Sequence, residues 1–240
     1  MRAVAARQAV APVEDNAVRR LSDRAYDAVR RMIIDGTLAP GAAVSEPELS
    51  RRLDFGRAAV RASLLRLTQE GLARPVPRRG YIVSPLTIRD ARNIMDLRLL
   101  LEPQAAFLAA GRVEAFALRR LEKAFAAGYD PSQPRSLDAL LAANREFRVA
   151  IARASGNQRL AAIVTDLLDG MERYLRLGLL VRNRSDELQS GQRQLTDALV
   201  AGNGEAARRI AAQQIEATIE MVMKALMARE DILNHPLMAS

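Results

Sequence analysis

Apolar residues near the start of the chain recur at the spacing of an α-helix. Ala25, Val29, Ile33 and Ile34 fall on one face of such a helix. Ser22 stands just before this stripe, where a serine hydroxyl can accept a hydrogen bond from the first turn. The pattern therefore predicts a first helix that begins at Ser22 or just after it and buries one face.

Two further helices are predicted before residue 72. Ser45 and Glu48 have the spacing of a capping box, which indicates a short helix that ends near Leu53. A third helix is predicted over residues 57–70, because apolar residues again recur there and Gly71 follows. The apolar residues expected to face inward from this helix are Val60, Leu64, Leu65 and Leu67.

A β-hairpin is predicted over residues 72–83. Prolines and a glycine separate two short segments that are rich in β-branched and aromatic residues. The turn between them is basic and consists of Arg78, Arg79 and Gly80. Three helices followed by such a hairpin are the order of elements in a winged helix-turn-helix.

Pro85 marks a change, because every segment after it has the helical period. The sequence predicts helices there near residues 88–111, 114–127, 137–154, 158–181, 187–201 and 205–229. The fold class expected is mostly α. The expected regions are a disordered arm (1–20), a winged helix-turn-helix (21–84) and an all-helical effector-binding and dimerisation domain (85–232).

Composition excludes several kinds of chemistry. The chain has no cysteine and one histidine, His235, which excludes disulfides, thiolate metal sites and Ser–His or Cys–His catalysis in the middle of the chain. No cofactor is indicated. No apolar run approaches the roughly 20 residues that cross a bilayer, and the Ala- and Arg-rich start lacks the apolar core of a signal peptide. We therefore expect a cytoplasmic protein with no membrane segment.

Positive charge is concentrated in the first third of the chain. The formal net charge is +8. Residues 19–84 carry 13 arginines against seven acidic residues, whereas from residue 85 onward 21 basic side chains stand against 19 acidic ones. A basic module joined to a nearly neutral remainder favours nucleic-acid contact by the first part only. On charge alone, a solvated basic face without a partner is an equal alternative.

Arginines on the predicted third helix carry the argument for DNA. Arg57 and Arg61 are one turn apart near the helix start, and Arg66 follows. An arginine in the major groove can donate two hydrogen bonds to guanine O6 and N7. Arg78 and Arg79 at the hairpin tip can lie over phosphates or in the minor groove. The arrangement predicts binding to a double-stranded DNA operator, whereas the alternative is an amphipathic helix with arginines on its wet side.

The same segment resembles the GntR family of bacterial transcription regulators. The family's Ile-x-x-Gly-x-Leu-x-Pro-Gly turn is matched by Ile33, Gly36, Leu38, Pro40 and Gly41. Its second-helix start is matched by Val44, Ser45 and Glu46, and its recognition helix by Arg57, Val60 and Arg61 ahead of Leu67, Gly71 and Leu72. Residues 94–110, IMDLRLLLEPQAAFLAA, look like the opening of the FCD effector domain of the FadR-like branch.

The resemblance implies a homodimeric DNA-binding regulator, with repression as the expected sign, and dimer contacts mainly after Pro85. The residues expected to bind DNA are Ser45, Glu46, Arg57, Arg61, Arg66, Arg78, Arg79 and Gly80. The chain departs from the family pattern in two places. Residues 56–63 read GRAAVRAS where the family has Ser-Arg-x-Pro-Val-Arg-Glu-Ala, and a DNA-contacting arginine of the family is Pro47 here. We therefore expect an operator preference that differs from that of typical family members.

Polar residues interrupt the apolar stripes of four predicted helices after Pro85. They are Arg98, Asn144, Arg148, Gln192 and Gln214. A buried polar group without a partner costs about 1–3 kcal/mol, so these residues are candidates to converge on one polar cavity in the bundle. The alternatives are that each lies at the edge of its stripe and reaches water, or that Arg98 pairs with Glu102 one turn further on.

The resemblance also bears on a metal site. Many FCD domains bind a divalent metal through one Asp and three His, and the matching positions here are Asn144, Arg148, Gln192 and Gln214. Arginine is no metal ligand, because its guanidinium stays protonated. The resemblance therefore implies a pocket without metal, in which Arg148 binds the carboxylate of a small organic acid effector. An internal anion, such as Glu102 or Glu146, is the alternative partner of Arg148.

Two other classes of function stay open from the residues alone. An enzyme has little support, because Gly202 and Gly204 form no complete phosphate-binding loop and the histidine lies near the C-terminus. The second class is a helical oligomerisation protein whose basic N-terminal part has no functional role. Binding to the upstream intergenic DNA would distinguish a regulator from both.

Overall fold

The computed structural model describes residues 13–126, 128–130, 133–181 and 185–234. Within it the chain divides into two compact units. The first unit ends at Pro85, and the second begins at Leu86.

Helices and a small sheet make up the first unit. Its elements are α1 (Val13–Ile34), β1 (Ala43–Val44), α2 (Glu46–Leu53), α3 (Arg57–Gln69), β2 (Ala73–Val76) and β3 (Gly80–Val83). Three helices followed by the β2–β3 hairpin form a winged helix-turn-helix, in which α3 is the helix placed to enter the major groove.

Helix α1 begins at Val13, earlier than the sequence pattern predicts. Ser22 therefore lies inside the helix, and the prediction that it caps the helix is wrong. The reason is local, because neither glycine nor proline interrupts the chain between Val13 and Ser22. Residues 13–20 of the predicted arm are helical, and residues 1–12 lie outside the described residues.

Helix α2 has the N-cap that its sequence predicts. The backbone of Ser45 is extended, and its Oγ accepts a hydrogen bond from the backbone N–H of Glu48 at 3.3 Å. Asp54 follows the helix in the left-handed conformation, with φ of 54°, which ends it. The short connection that results brings α3 in directly after α2.

The sheet contains a strand that the sequence pattern did not predict. Its order is β1-β3-β2, and both pairings are antiparallel, with Val44 opposite Tyr81 and Val76 opposite Gly80. Gly80 has a φ of 86°, and a Cβ at this position would lie 2.7 Å from the backbone oxygen of Val44. A glycine is therefore required where β1 meets the hairpin.

The core of the first unit joins α1 and α3. Its fully buried side chains include Val29, Ile33, Leu49, Val60, Leu64, Leu67 and Val83. Leu65 is the exception among the residues predicted to face inward, because it is 54% exposed. It lies one turn beyond Arg61 and so shares the outer face of α3.

Regular structure in the described part of the second unit is helical throughout. Its helices are α4 (Ile88–Ala109), α5 (Ala115–Ala126), α6 (Pro134–Ala154), α7 (Gln158–Val181), α8 (Ser185–Val200) and α9 (Gly204–Asn234). The predicted fold class is thus confirmed. Among the described helices, none combines the length and apolar character needed to cross a membrane.

Helix α4 lies at the centre of the second unit, where it packs against α6, α7 and α9. Thr87 caps its first turn by accepting a hydrogen bond from the backbone N–H of Asp90 at 3.1 Å. The hydroxyl of Tyr174 on α7 donates to the Asp90 carboxylate at 2.7 Å. These contacts fix the start of α4, so its later turns, which carry Arg98 and Glu102, lie in the interior.

Candidate nucleic-acid interface and buried polar site

The outer face of α3 is formed by two arginines and small or apolar side chains. Arg57, Ala58, Arg61, Ala62 and Leu65 are exposed along it. The opposite face is fixed in the core through Val60, Leu64 and Leu67. Because burial sets the rotation of the helix, this outer face is the one that α3 presents to a partner.

Arg61 is held by a carboxylate from the first turn of α2. Its Nε donates to Oε1 and Oε2 of Glu46 at 3.0 and 3.1 Å, and its Nη2 donates to Oε2 at 2.9 Å. The hydrogen bond to Glu46 raises the pKa of Arg61 above its ordinary value. Glu46 occupies the edge of the guanidinium formed by Nε and Nη2, so Nη1 and the second N–H of Nη2 remain directed away from it. That end can donate two hydrogen bonds to a guanine.

Arg57 and Arg66 occupy different surroundings. Arg57 is exposed and forms no hydrogen bond or ion pair with any residue that the structure describes. Arg66 turns toward α1 instead: its guanidinium carbon lies 3.6 Å from the centre of the Tyr26 ring, and its Nε lies 3.2 Å from Glu70. The geometry thus separates Arg66 from the other predicted DNA-binding residues of α3 and gives it a role in holding α3 to α1.

Tyr26 and Glu70 complete this contact between the two helices. The Tyr26 hydroxyl donates to the Glu70 carboxylate at 2.8 Å. Burial, together with this hydrogen bond, raises the pKa of Tyr26 to about 12. No sequence pattern predicts this contact, because Tyr26 and Glu70 are far apart in the chain.

The tip of the wing is exposed and basic. Arg78 and Arg79 are solvent-exposed, and Arg78 has a positive φ of 62°. The backbone N–H of Arg79 donates to the carbonyl of Val76 at 3.0 Å, which closes the turn. Both side chains extend from a fixed backbone, as contacts to a phosphate require.

Apolar members of the outer face were missed by the sequence analysis. Leu65 was expected to face inward, and Ala58 and Ala62 were not considered. Such side chains contact the methyl group of thymine in DNA complexes. The available signal was helical spacing, since Ala58 and Ala62 are four residues apart and Leu65 is four residues from Arg61.

The five polar residues predicted to converge in the second unit do lie close together. They come from four helices: Arg98 from α4, Asn144 and Arg148 from α6, Gln192 from α8 and Gln214 from α9. Arg98 is 1% exposed and Arg148 is 8% exposed. The alternative that each residue reaches water at the edge of its stripe does not hold for these two arginines.

A carboxylate that the stripes did not single out links the two arginines. Glu102, which is 4% exposed, accepts a hydrogen bond from Nε of Arg98 at 2.5 Å and another from Nη1 of Arg148 at 2.8 Å. The local pairing of Arg98 and Glu102 is therefore present. Glu102 is also the internal anion that pairs with Arg148, whereas Glu146 is exposed.

The amides complete a polar cluster. Nη2 of Arg148 donates to Oε1 of Gln214 at 3.1 Å, and Nε2 of Gln192 donates to Oδ1 of Asn144 at 3.2 Å. Three buried atoms of this cluster have no hydrogen-bond partner among the described residues: Nε of Arg148, Nε2 of Gln214 and Oε1 of Gln192. Buried polar atoms are nearly always paired in native proteins, so three such atoms gathered in one cluster make it a candidate ligand site.

Charge in the cluster is fixed by mutual pairing. Burial by itself raises the pKa of Glu102, but the guanidiniums of Arg98 and Arg148 outweigh it and leave this pKa below the ordinary value of 4.5. Burial also lowers the pKa of Arg148, and the carboxylate of Glu102 opposes that shift. Arginine starts from so high a pKa that it stays protonated. All three side chains are therefore charged at neutral pH.

A cavity adjoins the two arginines. It contains about 30 Å³ of free space, which is room for roughly two water molecules. Its polar lining is Arg98, Asn144, Arg148 and Thr218, and its apolar lining is Phe125, Leu140, Leu141, Leu175, Leu179 and Met221. The cavity thus has a cationic end and an apolar wall.

A divalent metal does not fit the residues at the four matching positions. The guanidinium of Arg148 repels a cation, and the carbonyl oxygens of Gln214 and Asn144 already accept hydrogen bonds from Arg148 and Gln192. Among the residues described, no group of three His, Cys, Asp or Glu side chains lies close enough to hold a metal ion.

Comparison with protein families yields two matches that together cover most of the chain. Residues 21–83 match the model described as bacterial regulatory proteins, gntR family. Residues 93–217, more than half of the chain, match the FCD domain.

Named relatives are transcription regulators of the helix-turn-helix type. YdhC of Bacillus subtilis (strain 168) is 23% identical over 184 residues, which are 76% of this chain and 82% of YdhC. BphR of Paraburkholderia xenovorans (strain LB400) is 25% identical over 217 residues, 88% of this chain and 89% of BphR. The transcriptional repressor RspR of Escherichia coli (strain K12) is 30% identical over 108 residues, 45% of this chain and 47% of RspR.

Solved structures share the fold. A GntR transcriptional regulator from Rhodococcus sp. RHA1 superposes with a TM-score of 0.70 at 22% identity, over 85% of this chain and 98% of that one. McbR/YncC of E. coli superposes with a TM-score of 0.68 at 22% identity, over 85% and 97%. The family matches exclude the enzyme and the oligomerisation protein that composition left open. The chain belongs to the GntR family of bacterial transcription regulators that carry an FCD domain, and it is a DNA-binding regulator and not an enzyme.

Proposed function

We propose that this regulator is a homodimeric repressor whose binding to a short pseudo-palindromic operator changes when a small organic acid occupies the FCD domain. The observation that carries the proposal is the outer face of α3, where Arg57 and Arg61 are exposed beside a basic wing. A single such helix contacts few base pairs, so two copies in a dimer are needed for useful affinity.

In the proposed complex, the first half of α3 enters the major groove. Arg61, oriented by Glu46, donates to guanine O6 and N7, and Arg57 makes a second base contact or a phosphate contact. Ala58, Ala62 and Leu65 lie on the same face and are suited to thymine methyl groups. The preferred half-site therefore combines a guanine with neighbouring thymines.

The wing and the start of α2 position this helix. Arg78 and Arg79 bind phosphates or the adjacent minor groove, and Gly80 lets the hairpin approach β1 closely. Ser45 caps α2 and so fixes the turn from which Glu46 reaches Arg61. Position 47 is a proline, which has no side-chain donor, so it makes no base contact of the kind that the family arginine makes.

Dimerisation is assigned to the second unit. Leu97 and Leu100 on α4 are 45% and 70% exposed, one turn apart on one face. Exposed apolar residues grouped in this way mark protein interfaces. A second copy of the same chain is the proposed partner, because the operator model requires two.

Regulation is assigned to the cavity beside Arg98 and Arg148. Asn144, Gln192 and Gln214 lie around these cations and supply hydrogen-bonding groups for a carboxylate. Repression is favoured over activation because RspR of E. coli, a relative over about half of its length, is named a repressor. The regulator acts in the cytoplasm, where bacterial operator DNA lies.

Footprinting on the intergenic DNA upstream of its own gene tests the DNA-binding proposal. Arg57→Ala and Arg61→Ala should each weaken specific binding by about 1–3 kcal/mol per half-site contact. Arg66→Lys is the control from the same helix, and its affinity should stay near that of the parent, because Arg66 faces α1 and the lysine keeps a positive charge beside Tyr26 and Glu70. If the Arg57 and Arg61 variants protect DNA as the parent does, the placement of α3 is wrong.

Sedimentation of the full-length chain tests the dimer. Leu100→Glu should shift the protein toward monomer, because it places a charge in the proposed interface. Phe116→Glu on α5 is the control, since Phe116 is 77% exposed and belongs to another helix. A dimer that survives the Leu100 variant and dissociates in the Phe116 variant would move the interface to α5. In vitro transcription from the footprinted promoter then decides the sign, since an increase in transcript would contradict repression.

A further inference from the structure

The buried cluster of the FCD domain is short of one negative charge. Two guanidiniums, Arg98 and Arg148, share one carboxylate, Glu102, which leaves one unit of positive charge in the interior. Of the residues that line the adjoining cavity, the charged ones are again Arg98 and Arg148. A buried charge that lacks a counter-ion is strongly unfavourable, so the cluster is suited to accept one further anion.

Unused donors show how such an anion would be held. Nε of Arg148 and Nε2 of Gln214 are both buried, and neither has an acceptor in the part of the chain that the structure describes. Arg148 is 8% exposed and lines the cavity, and Gln214 is hydrogen-bonded to Arg148, so a ligand in the cavity lies beside both side chains. A carboxylate offers two oxygens and can accept from more than one donor. The cluster lacks hydrogen-bond acceptors and one negative charge, and a carboxylate supplies both.

The wall opposite the cations sets the rest of the ligand. Phe125, Leu140, Leu141, Leu175, Leu179 and Met221 line it. A second carboxylate pointing toward this wall would lose its water and find no donor there. An aliphatic body would instead bury apolar surface. The free space is about 30 Å³, so the body is a short one and the apolar side chains of the lining shift to admit it.

We infer that the effector of this regulator is a monocarboxylate with a short apolar body, and that Glu102 supplies internally the negative charge that a second ligand carboxylate would bring. The inference rests on the proposed function for the location of the effector site. It narrows the class of effector by charge and by polarity. Arg148 binds the carboxylate of the ligand. Arg98 pairs with Glu102 and so adds its positive charge to the same cluster.

Thermal unfolding of the full-length protein, followed by circular dichroism, tests the ligand class. Propionate and butyrate are compared with 1-butanol, which lacks the charge, and with succinate, which adds a second carboxylate, all at one ionic strength. Propionate or butyrate should raise Tm in a saturable way, at concentrations at least tenfold lower than succinate. The inference is overturned if succinate is equally effective, or if neither monocarboxylate raises Tm above the chloride control.

Substitutions of Arg148 and of Glu102 should change butyrate affinity in opposite directions. If both residues had a purely structural role, both substitutions would lower that affinity. Arg148→Gln leaves Arg98 and Glu102 as a neutral pair and should weaken the butyrate response about 10- to 100-fold. Arg145→Gln is the matched control on the same helix, because Arg145 pairs with Asp169 and does not line the cavity. Its response should equal that of the parent, and an undiminished response of Arg148→Gln would contradict the assignment.

Glu102→Gln raises the charge of the cluster by one unit. The variant should bind butyrate more tightly and should gain a response to succinate, since two positive charges then need compensation. A loss of both responses in a folded Glu102→Gln protein would overturn the charge argument. If this variant does not fold, the ligand series and the Arg148 and Arg145 pair decide the question without it.

Operator binding separates the failure of this inference from that of the proposed function. If butyrate raises Tm as expected but leaves operator affinity unchanged, the monocarboxylate site stands and its regulatory role fails. If succinate releases the operator and butyrate does not bind, the reverse holds. Neither result depends on the identity of the natural effector.

Discussion

Arginines serve the two units of this regulator in physically opposite ways. On α3 they project into solvent: Arg57 has no partner within the described chain, and the side chain of Arg61 is 65% exposed despite its pair with Glu46. In the FCD domain Arg98 and Arg148 are buried and share Glu102. An exposed arginine adds little to folding and keeps its hydrogen bonds for a partner, whereas a buried one depends on its internal counter-ion.

This difference in burial explains why substitutions at the two sites should have different effects on the stability of the fold. Loss of an exposed arginine leaves water in its place, so the fold should be unaffected while DNA affinity falls. Loss of a buried partner leaves an uncompensated charge in the interior, so the fold itself should be weakened. Stability and function should thus separate in the first unit and be coupled in the second.

The largest effect is expected when Glu102 is removed. Glu102→Ala leaves Arg98 and Arg148 buried together without a carboxylate, and removal of one partner of a buried ion pair costs about 3–5 kcal/mol. Urea unfolding followed by circular dichroism measures the loss. The sharpest comparison is Arg61→Ala, for which the unfolding free energy should stay within about 0.5 kcal/mol of the parent value.

Asp169→Ala provides the control within the FCD domain. Asp169 pairs with Arg145, but both side chains are 37% exposed. An exposed pair contributes about 0–1 kcal/mol, so this variant should unfold nearly as the parent does. Equal losses for the Glu102 and Asp169 variants would break the comparison, because burial would then not be what distinguishes the two pairs.

A smaller effect is expected at the wing, where backbone geometry rather than charge is decisive. Gly80→Ala adds a Cβ that would lie 2.7 Å from the carbonyl oxygen of Val44, at a φ of 86°. We expect a loss of about 2–3 kcal/mol in unfolding free energy. Gly41→Ala is the matched control: its φ is 83°, but nothing lies within 4 Å of the added carbon. It should lose only about 1 kcal/mol, the strain of the left-handed conformation.

Operator affinity gives a second readout for these glycine variants. Gly80→Ala should also reduce DNA binding, because relief of the contact with Val44 moves the hairpin that carries Arg78 and Arg79. Gly41→Ala should leave it nearly unchanged. If both variants lose equal stability, the close approach of β1 and the hairpin is not what requires glycine at position 80.

Sequence patterns predicted most helices well, including the short α2, but missed the early start of α1, the strand β1 and the outward face of Leu65. Helix α7 has the predicted bounds, residues 158–181, because its apolar stripe is long and unbroken. Strand β1 has only two residues, too few to show alternation. In α3 two leucines are adjacent, and periodicity alone did not decide that Leu64 faces the core and Leu65 faces solvent.

In the candidate sites, too, features of a single helix were predictable and contacts between two helices were not. Interrupted stripes identified Arg98 and Arg148 because a polar residue among apolar neighbours is visible in one helix at a time. The choice between Glu102 and Glu146 as the partner of Arg148 was not visible, since it depends on how α4 and α6 are rotated against each other. The contact between Glu46 and Arg61 likewise joins two helices, and only the fold brings it together.

The smallest effect concerns Glu46, a carboxylate that pairs with an exposed arginine of the proposed DNA face. Glu46→Gln removes a negative charge near the proposed DNA face and loosens the guanidinium of Arg61. Loss of the charge should strengthen binding to any DNA, because phosphates are repelled less. Loss of the bidentate contact should weaken discrimination, because the end of Arg61 that donates to guanine is no longer oriented.

Glu48→Gln separates these two consequences. Glu48 lies in the same first turn of α2 and carries the same charge, but its side chain is exposed and does not contact Arg61. Fluorescence anisotropy at one salt concentration gives the affinity ratio of operator to random DNA for each variant. Glu48→Gln should raise both affinities and leave the ratio unchanged. Glu46→Gln should lower the ratio by an amount that corresponds to about 0.5–1 kcal/mol of binding free energy, which is the range of an exposed ion pair. A ratio that rises instead would show that Glu46 competes with DNA for Arg61, and an equal ratio in both variants would show that charge alone matters at this position.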